Sequence, residues 1–316
     1  MPLDARGCRV VLAPLLLAAA ACVTTSATPP GADAGGQSGF GSDGGSDGGG
    51  PDATLPPGTD ASADDANANP DARAADTGPG DTGAADATCT KPLNKALQFA
   101  GGQLVTAPDS ESLHVNDLTA EAWVSFATIG GPYQSIIAKP YGTGTGDSFT
   151  IWYESGGLHA GASPTSVNDA LGYTWAPVLG AWHHVAFTFE RATLAQALYV
   201  DGALVASGTA PCAPTYDAHP FYIGADVDNG GANGFFNGQI DEVRIWTSVR
   251  RIEDIGGDLR TCTPGSFTGL GGYWPLDEGT GQTAADVSGN ANNGQLGTTS
   301  GVETSDPTWV DSTVPF

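Results

Sequence analysis

Positive charge is what this 316-residue sequence has least of. Eleven Lys and Arg stand against 35 Asp and Glu, for a formal net charge of −24 and a sequence pI near 4.1. Such a chain repels phosphate backbones and anionic lipid headgroups, which excludes nucleic acid and acidic membrane surfaces as partners held by charge. Metal ions, cationic ligands and neutral glycans remain open. Methionine is nearly missing, with one residue, while Gly reaches 46 and Pro 22. Gly and Pro are the poorest helix formers, so this composition points to a turn-rich all-β protein. Long apolar runs are scarce as well. The longest, Val10 to Leu17 with the alanines that follow, falls short of the roughly 20 residues that cross a bilayer comfortably.

That short run has another use. Arg6 and Arg9 precede it, and it ends in Ala19-Ala20-Ala21-Cys22, the charged, apolar and small-residue order of an export signal. A Cys directly after small residues resembles a bacterial lipobox, in which the thiol is acylated and becomes the mature N-terminus; Ala19 stands where Leu is usual. Residues 1–22 are therefore expected to direct export, with Cys22 lipidated, or with cleavage after an A-x-A pattern and plain secretion as the alternative. The expected location is a bacterial outer membrane or cell surface, or the medium, with the lipid as the sole tie to a membrane.

Residues 23–90 are Gly, Asp, Ala, Pro, Thr and Ser, with Phe40 and Leu55 nearly the only large apolar side chains. A segment of this kind buries too little apolar surface to offset chain entropy, and its aspartates repel one another. It is expected to be a disordered, extended acidic tether. At Ala96 the character changes to short alternating runs bounded by Gly, Pro, Asn or Asp, which predict strands near 96–99, 104–107, 119–126, 135–139, 148–154, 158–161, 182–190, 197–200, 203–207, 221–224 and 239–246. Asp201-Gly202 marks a hairpin. One short helix is expected to open at Ser248, with Val249, Ile252, Ile255 and Leu259 as its apolar stripe.

Three stretches together resemble the laminin-G-like jelly roll of the concanavalin A-like lectin/glucanase class. The first is Ala96-Leu97-Gln98-Phe99-Ala100-Gly101 with Leu118-Thr119-Ala120-Glu121-Ala122-Trp123-Val124. The second is Trp182-His183-His184-Val185-Ala186-Phe187 with Leu198-Tyr199-Val200-Asp201-Gly202. The third is Phe236-Asn237-Gly238-Gln239-Ile240-Asp241-Glu242-Val243-Arg244-Ile245-Trp246, followed by the helix. The resemblance implies an all-β, two-sheet antiparallel sandwich over residues 91–316, with its core at 96–260. The segment from Gly272 to Gly294 resembles the same family too, although there it commonly precedes the first strand. Some 45 residues are too few for a second sandwich, so 270–316 are expected to complete the first one.

Export makes one disulfide the expectation among Cys89, Cys212 and Cys262. The jelly-roll resemblance sets first and last strands side by side and so implies Cys89–Cys262, with Cys212–Cys262 as the alternative. The pentraxin branch of the fold class uses cysteines within the strands matching 120–126 and 182–189; none is present, so that bridge does not carry over.

Chemistry has little to stand on. Sandwich glycosidases need two carboxyls about 5–10 Å apart in one cleft, but Glu121, Glu154 and Glu190 stand singly, and Asp241 and Glu242, as strand neighbours, are expected on opposite faces. His183 and His184 diverge for the same reason. No nucleotide fingerprint or phosphate loop occurs. The expectation is no enzyme but a binding or adhesion module for an extracellular glycan or surface protein. A purely structural envelope protein, or less so a carbohydrate-active enzyme, is the alternative. Calcium is the cofactor to consider, since its oxygen ligands come from Asp and Asn in loops; Asp226, Asp228, Asp241, Asp286 and Asn290 are the candidates. Tyr133, Tyr141, Tyr173, Trp175, Tyr222 and Phe235 lie in or near loops, and of these Tyr173 and Trp175 are the candidates for stacking on a sugar.

Overall fold

The structure is a computed structural model that describes residues 94–131, 133–163, 169–259 and 267–316. The expected signal, Cys22, the linker 23–90, Cys89 and Cys262 lie outside these residues. In chain order the strands are β1 (Lys95–Ala100), β2 (Val105–Ala107), β3 (Leu118–Phe126), β4 (Gln134–Tyr141), β5 (Gly146–Glu154), β6 (Gly157–Ala162), β7 (Leu171–Thr174), β8 (Trp182–Glu190) and β9 (Ala195–Val200). They continue with β10 (Ala203–Thr209), β11 (Phe221–Ile223), β12 (Asp226–Asp228), β13 (Gly231–Asn233), β14 (Asn237–Trp246), helix α1 (Ile252–Asp258), β15 (Leu270–Trp274), β16 (Thr283–Ala284), β17 (Gly294–Leu296) and β18 (Thr308–Asp311).

Two antiparallel sheets face each other. One runs β10-β9-β8-β3-β14-β1-β18, with β15 also on β14; the other runs β16-β17-β2-β11-β4-β5-β6-β7. Strand alternation places Leu118, Ala120, Ala122, Val124 and Phe126 of β3 and Val185, Phe187 and Phe189 of β8 inside, against Phe149, Ile151, Phe221 and Ile223 of the facing sheet. The segment 270–316 builds into both sheets. Trp274 of β15 is fully buried, stacks on Phe221 at 5.1 Å and donates its indole N–H to the Asn292 carbonyl at 2.8 Å.

β14 carries the main irregularity. It pairs with β3 on one side; on the other, its first half pairs with β1 and its second half with β15. Register slips between Asp241 and Arg244, where Glu242 takes φ 53°, a bulge of the kind that re-aims a side chain. Asp241 and Glu242 therefore share a face, contrary to the expectation from simple alternation. Asp241, opposite Trp123, accepts from the Ser312 hydroxyl at 2.7 Å; Glu242 accepts from Arg244 at 2.5 Å and from the Tyr273 hydroxyl at 2.6 Å.

The outer face of this sheet is thus a buried polar layer. Glu121 accepts from the Trp246 indole at 2.8 Å and lies 3.5 Å from His184 and 3.6 Å from Arg244. Burial alone would favour the neutral acid, yet the hydrogen bond and charge of His184, the charge of Arg244 and the Trp246 donor outweigh it and hold the Glu121 pKa at about 2. The helix differs from its expectation. It begins at Arg251 as N-cap with no side-chain cap, and the Ser248 carbonyl instead accepts from Thr119. Of the proposed stripe Ile255 is buried, whereas Val249 and Ile252 stay exposed.

Glu121 has a folded-state pKa below the ordinary value, so its stabilising contribution is complete above about pH 4.5 and is lost as pH falls through about 2. Glu121→Gln is expected to cost about 3 kcal/mol at neutral pH and to flatten the acid limb of stability between these values. Urea unfolding at a series of pH values measures both. Parallel wild-type and variant profiles would exclude an ionised Glu121 at this position.

Candidate functional site

The second sheet presents its outer face differently. Phe221 and Ile223 point inward, so Tyr222 between them points outward. Tyr222 pairs with Thr106 of β2 on one side and Ala138 of β4 on the other; Thr106 pairs with Gln295 of β17, and Gln295 with Thr283 of β16. One row across the sheet therefore reads Thr283, Gln295, Thr106, Tyr222, a set of uncharged polar groups ending in an aromatic ring.

The β12–β13 hairpin rises over this row. Its turn residues Asn229 and Gly230 both take positive φ, 51° and 79°, as the tight turn that matches strand twist requires. The hairpin is fixed from below: the Tyr133 hydroxyl donates to Asp226 at 2.7 Å, Asn233 donates to Asp228 at 2.9 Å, and the Asn229 N–H reaches the Gly144 carbonyl at 2.9 Å. Burial, and then the neighbouring Asp228, push the Asp226 carboxyl up, although it accepts hydrogen bonds from Tyr133 and the Val227 N–H. Burial and Asp226 together push the Tyr133 phenol up as well.

Between the hairpin and the C-terminal strands lies a groove of about 670 Å³, lined among others by Thr106, Tyr222, Val227, Ala232, Asn293 and Gln295. Its volume is that of a small-ligand site. Behind Thr298, which lines the groove, the half-buried Glu303 carboxylate accepts from the Thr298 and Thr299 N–H groups and the Thr298 hydroxyl. These bonds, the Thr298 N–H first, hold its pKa at about 2. The Tyr222 phenol is pushed up by burial and then by Asp226, so it is a neutral donor at physiological pH.

A second recess of about 410 Å³ lies towards the other edge, lined by Glu154, His159, Gly172 and Tyr173 among others. His159 stacks on Trp152 at 5.3 Å, and burial lowers its pKa. A methyl group at Gly157 or Gly172 would press to 3.1 Å against the imidazole, so these glycines leave the ring its place. Tyr173 is half-buried in this recess. Trp175 is half-buried at the rim of the core, against Phe126 and His183, with its carbonyl accepting from the Tyr153 hydroxyl at 2.8 Å.

The five candidate calcium ligands fall in three separate places. Asp226 and Asp228 belong to the hairpin. Asp241 is buried beneath Ser312. Asp286 accepts from the N–H groups of Tyr273, Ser288 and Asn292, and Asn290 donates to the Leu270 and Gly271 carbonyls, so this loop serves its own backbone. Among the described residues no three His, Cys, Asp or Glu side chains are grouped as metal ligands, and no helix is long and apolar enough to cross a membrane. His183 and His184 do diverge: one ring meets Trp175, the other Trp123. Cys212, which a Cys89–Cys262 bridge would leave as a free thiol, is itself disulfide-bonded; its partner lies outside the described residues.

Tyr222 stood among the loop aromatics in the sequence without being singled out. The signal that finds it is its place in β11, alternating with two core residues.

Residues 99–256 match the Laminin_G_3 family model, described as the concanavalin A-like lectin/glucanases superfamily. No curated protein matches the chain. Among solved structures, a Bacteroides ovatus protein proposed to bind carbohydrate is similar at 19% identity and a TM-score of 0.54, over 69% of this chain and 60% of that one. The chain thus spans less than two thirds of that relative. A pentraxin from Limulus polyphemus is similar at 15% identity and TM-score 0.42, over 55% of this chain and 85% of that one. The Ruminococcus gnavus IT-sialidase module CBM40, solved with α2,3 sialyllactose, is similar at 13% identity and TM-score 0.44, over 52% and 95%. Identities this low speak to the fold alone.

Proposed function

We infer that this chain, which belongs to the concanavalin A-like lectin/glucanases superfamily, is a carbohydrate-binding module displayed outside the cell, and that the groove on Tyr222 is where the sugar sits. The observation that carries the reading is the pairing of a half-buried aromatic ring with a row of threonine, asparagine and glutamine side chains in one groove. A sugar presents C–H faces and hydroxyls, and these are the groups such a lining meets. The Bacteroides ovatus relative, proposed to bind carbohydrate, agrees with it. The described lining of the groove holds no pair of carboxyls, which supports binding without hydrolysis. Tyr173, in the recess towards the other edge of the sheet, is a candidate for a second contact; Trp175 supports the core edge.

Calcium is proposed as a structural ion at the hairpin, with Asp226 and Asp228 as its carboxylate ligands. There Asp228 lies beside Asp226, and the Asn233 side-chain oxygen is buried without a hydrogen-bond partner. The ion would supply the positive charge that this corner lacks. Export with lipidation at Cys22 is the proposed route to the surface.

Three outcomes are expected. On a glycan array the protein binds a defined set of oligosaccharides, and Tyr222→Ala weakens that binding about tenfold or more; an array without hits, or a variant that binds as well as wild type, would sink the assignment. Calcium raises the thermal midpoint of the wild type but not of Asp226→Asn, and equal midpoints in calcium and in chelator would remove the ion from the account. Metabolic labelling with a fatty acid tags the wild type and not Cys22→Ala; label in neither leaves plain secretion.

A further inference from the structure

We propose that the Tyr222 groove selects uncharged saccharides and rejects those that carry carboxylate, sulfate or phosphate. The inference rests on the glycan reading above and narrows its ligand class.

The first observation is the lining. Among the described residues around the groove, Thr106, Tyr222, Thr283, Asn293, Gln295 and Thr298 supply the polar atoms, and no Lys, Arg or His is present. The described Lys and Arg residues lie elsewhere. Lys95 pairs with Asp311, Arg251 with Asp254, Lys139 is buried on Asp109, Arg244 is buried on Glu242, and Arg250 lies over the Trp246 ring. Arg191 follows β8 on the first sheet and is not among the residues lining the groove. An acidic sugar entering the groove would lose water around its charge and find no cation to pair with it, which disfavours its binding.

The second observation is the rim. Glu303 is ionised throughout the physiological range and is held in place by the Thr298 and Thr299 amides. Asp306 lies beside it, with its carboxylate accepting from the Glu303 N–H at 2.8 Å. This rim is therefore acidic in a protein already at −24, and an anion approaching it is repelled.

Neutral hydroxyls meet the opposite situation. The Thr106 and Thr283 hydroxyls are not engaged within the described residues and can donate or accept, and the Tyr222 phenol can do both. A site built to hydrogen-bond hydroxyls discriminates by leaving its own groups unpaired when they are missing. Nothing in this lining rewards a carboxylate.

The experiment uses the full chain on an array of neutral oligosaccharides matched with their sialylated, uronate and sulfated counterparts, with hits measured by calorimetry at low and high salt. Neutral members are expected to bind about tenfold or more tightly than their anionic counterparts, with little salt dependence and with loss in Tyr222→Ala. Thr283→Arg, on the exposed edge strand, is expected to raise affinity for the anionic members about tenfold. Anionic glycans that bind the wild type as tightly as neutral ones, while still depending on Tyr222, would overturn the selection for neutral sugars and leave the glycan reading intact. A Thr283→Arg variant with unchanged preference would overturn it as well. Absence of any glycan binding would instead remove the reading on which it rests.

Discussion

The architecture turns on β14 having more to bond than an ordinary strand. Ten residues long, it lies against β3 along one side and gives its other side to two partners in succession, β1 and β15. Two strands can share one side only if the first stops where the second starts, and the bulge at Glu242 marks that division. Trp274 enters the core because β15 is there, and β16, β17 and β18 are carried into place by the chain that follows. The left-handed backbone at Glu242 has a local cost, which is offset by the carboxylate it delivers to Arg244 and Tyr273.

The two outer faces then take different roles. On the first sheet, Glu121, His184, Arg244 and Glu242 are all but inaccessible to water. A paired network of this kind specifies one arrangement more than it adds stability. On the second sheet the outer row is uncharged and partly open, and a hairpin stands over it. The fold thus seals a paired charge network behind the first sheet and keeps the row Thr283, Gln295, Thr106 and Tyr222 on the second uncharged.

Much of the scaffold could be read from residue order. Alternation marked β3, β5, β8 and β14 because each buries one full side of its pleat. The turn Asp201-Gly202 followed from its residue types, and the two-sheet sandwich from the resemblance of three stretches to the laminin-G-like jelly roll. Three features could not be read in this way. Period-two alternation assumes an unbroken ladder, so it put Asp241 and Glu242 on opposite faces where the bulge unites them. The run Asp226-Val227-Asp228-Asn229-Gly230 offered oxygens and a turn at once, and the ladder between β12 and β13 is too short to register as strands. The loop from Asp286 to Asn292 looked like a ligand loop because side chains that cap backbone amides have the same composition as those that hold a hard cation. Tyr222 was hidden for another reason. A site made by two strands nearly two hundred residues apart in sequence, here β2 and β17, has no local motif.

The position of β1 has a mechanical consequence. Residues 97 and 98 have partners on both sides, β14 and β18, and Asn94 is tied to Ser312 by both its carbonyl and its side chain. A pull applied to the chain at Asn94 therefore runs along the axis of a strand flanked by two antiparallel neighbours. It loads their hydrogen bonds together, as in a lap joint under shear, instead of opening them one at a time from an edge.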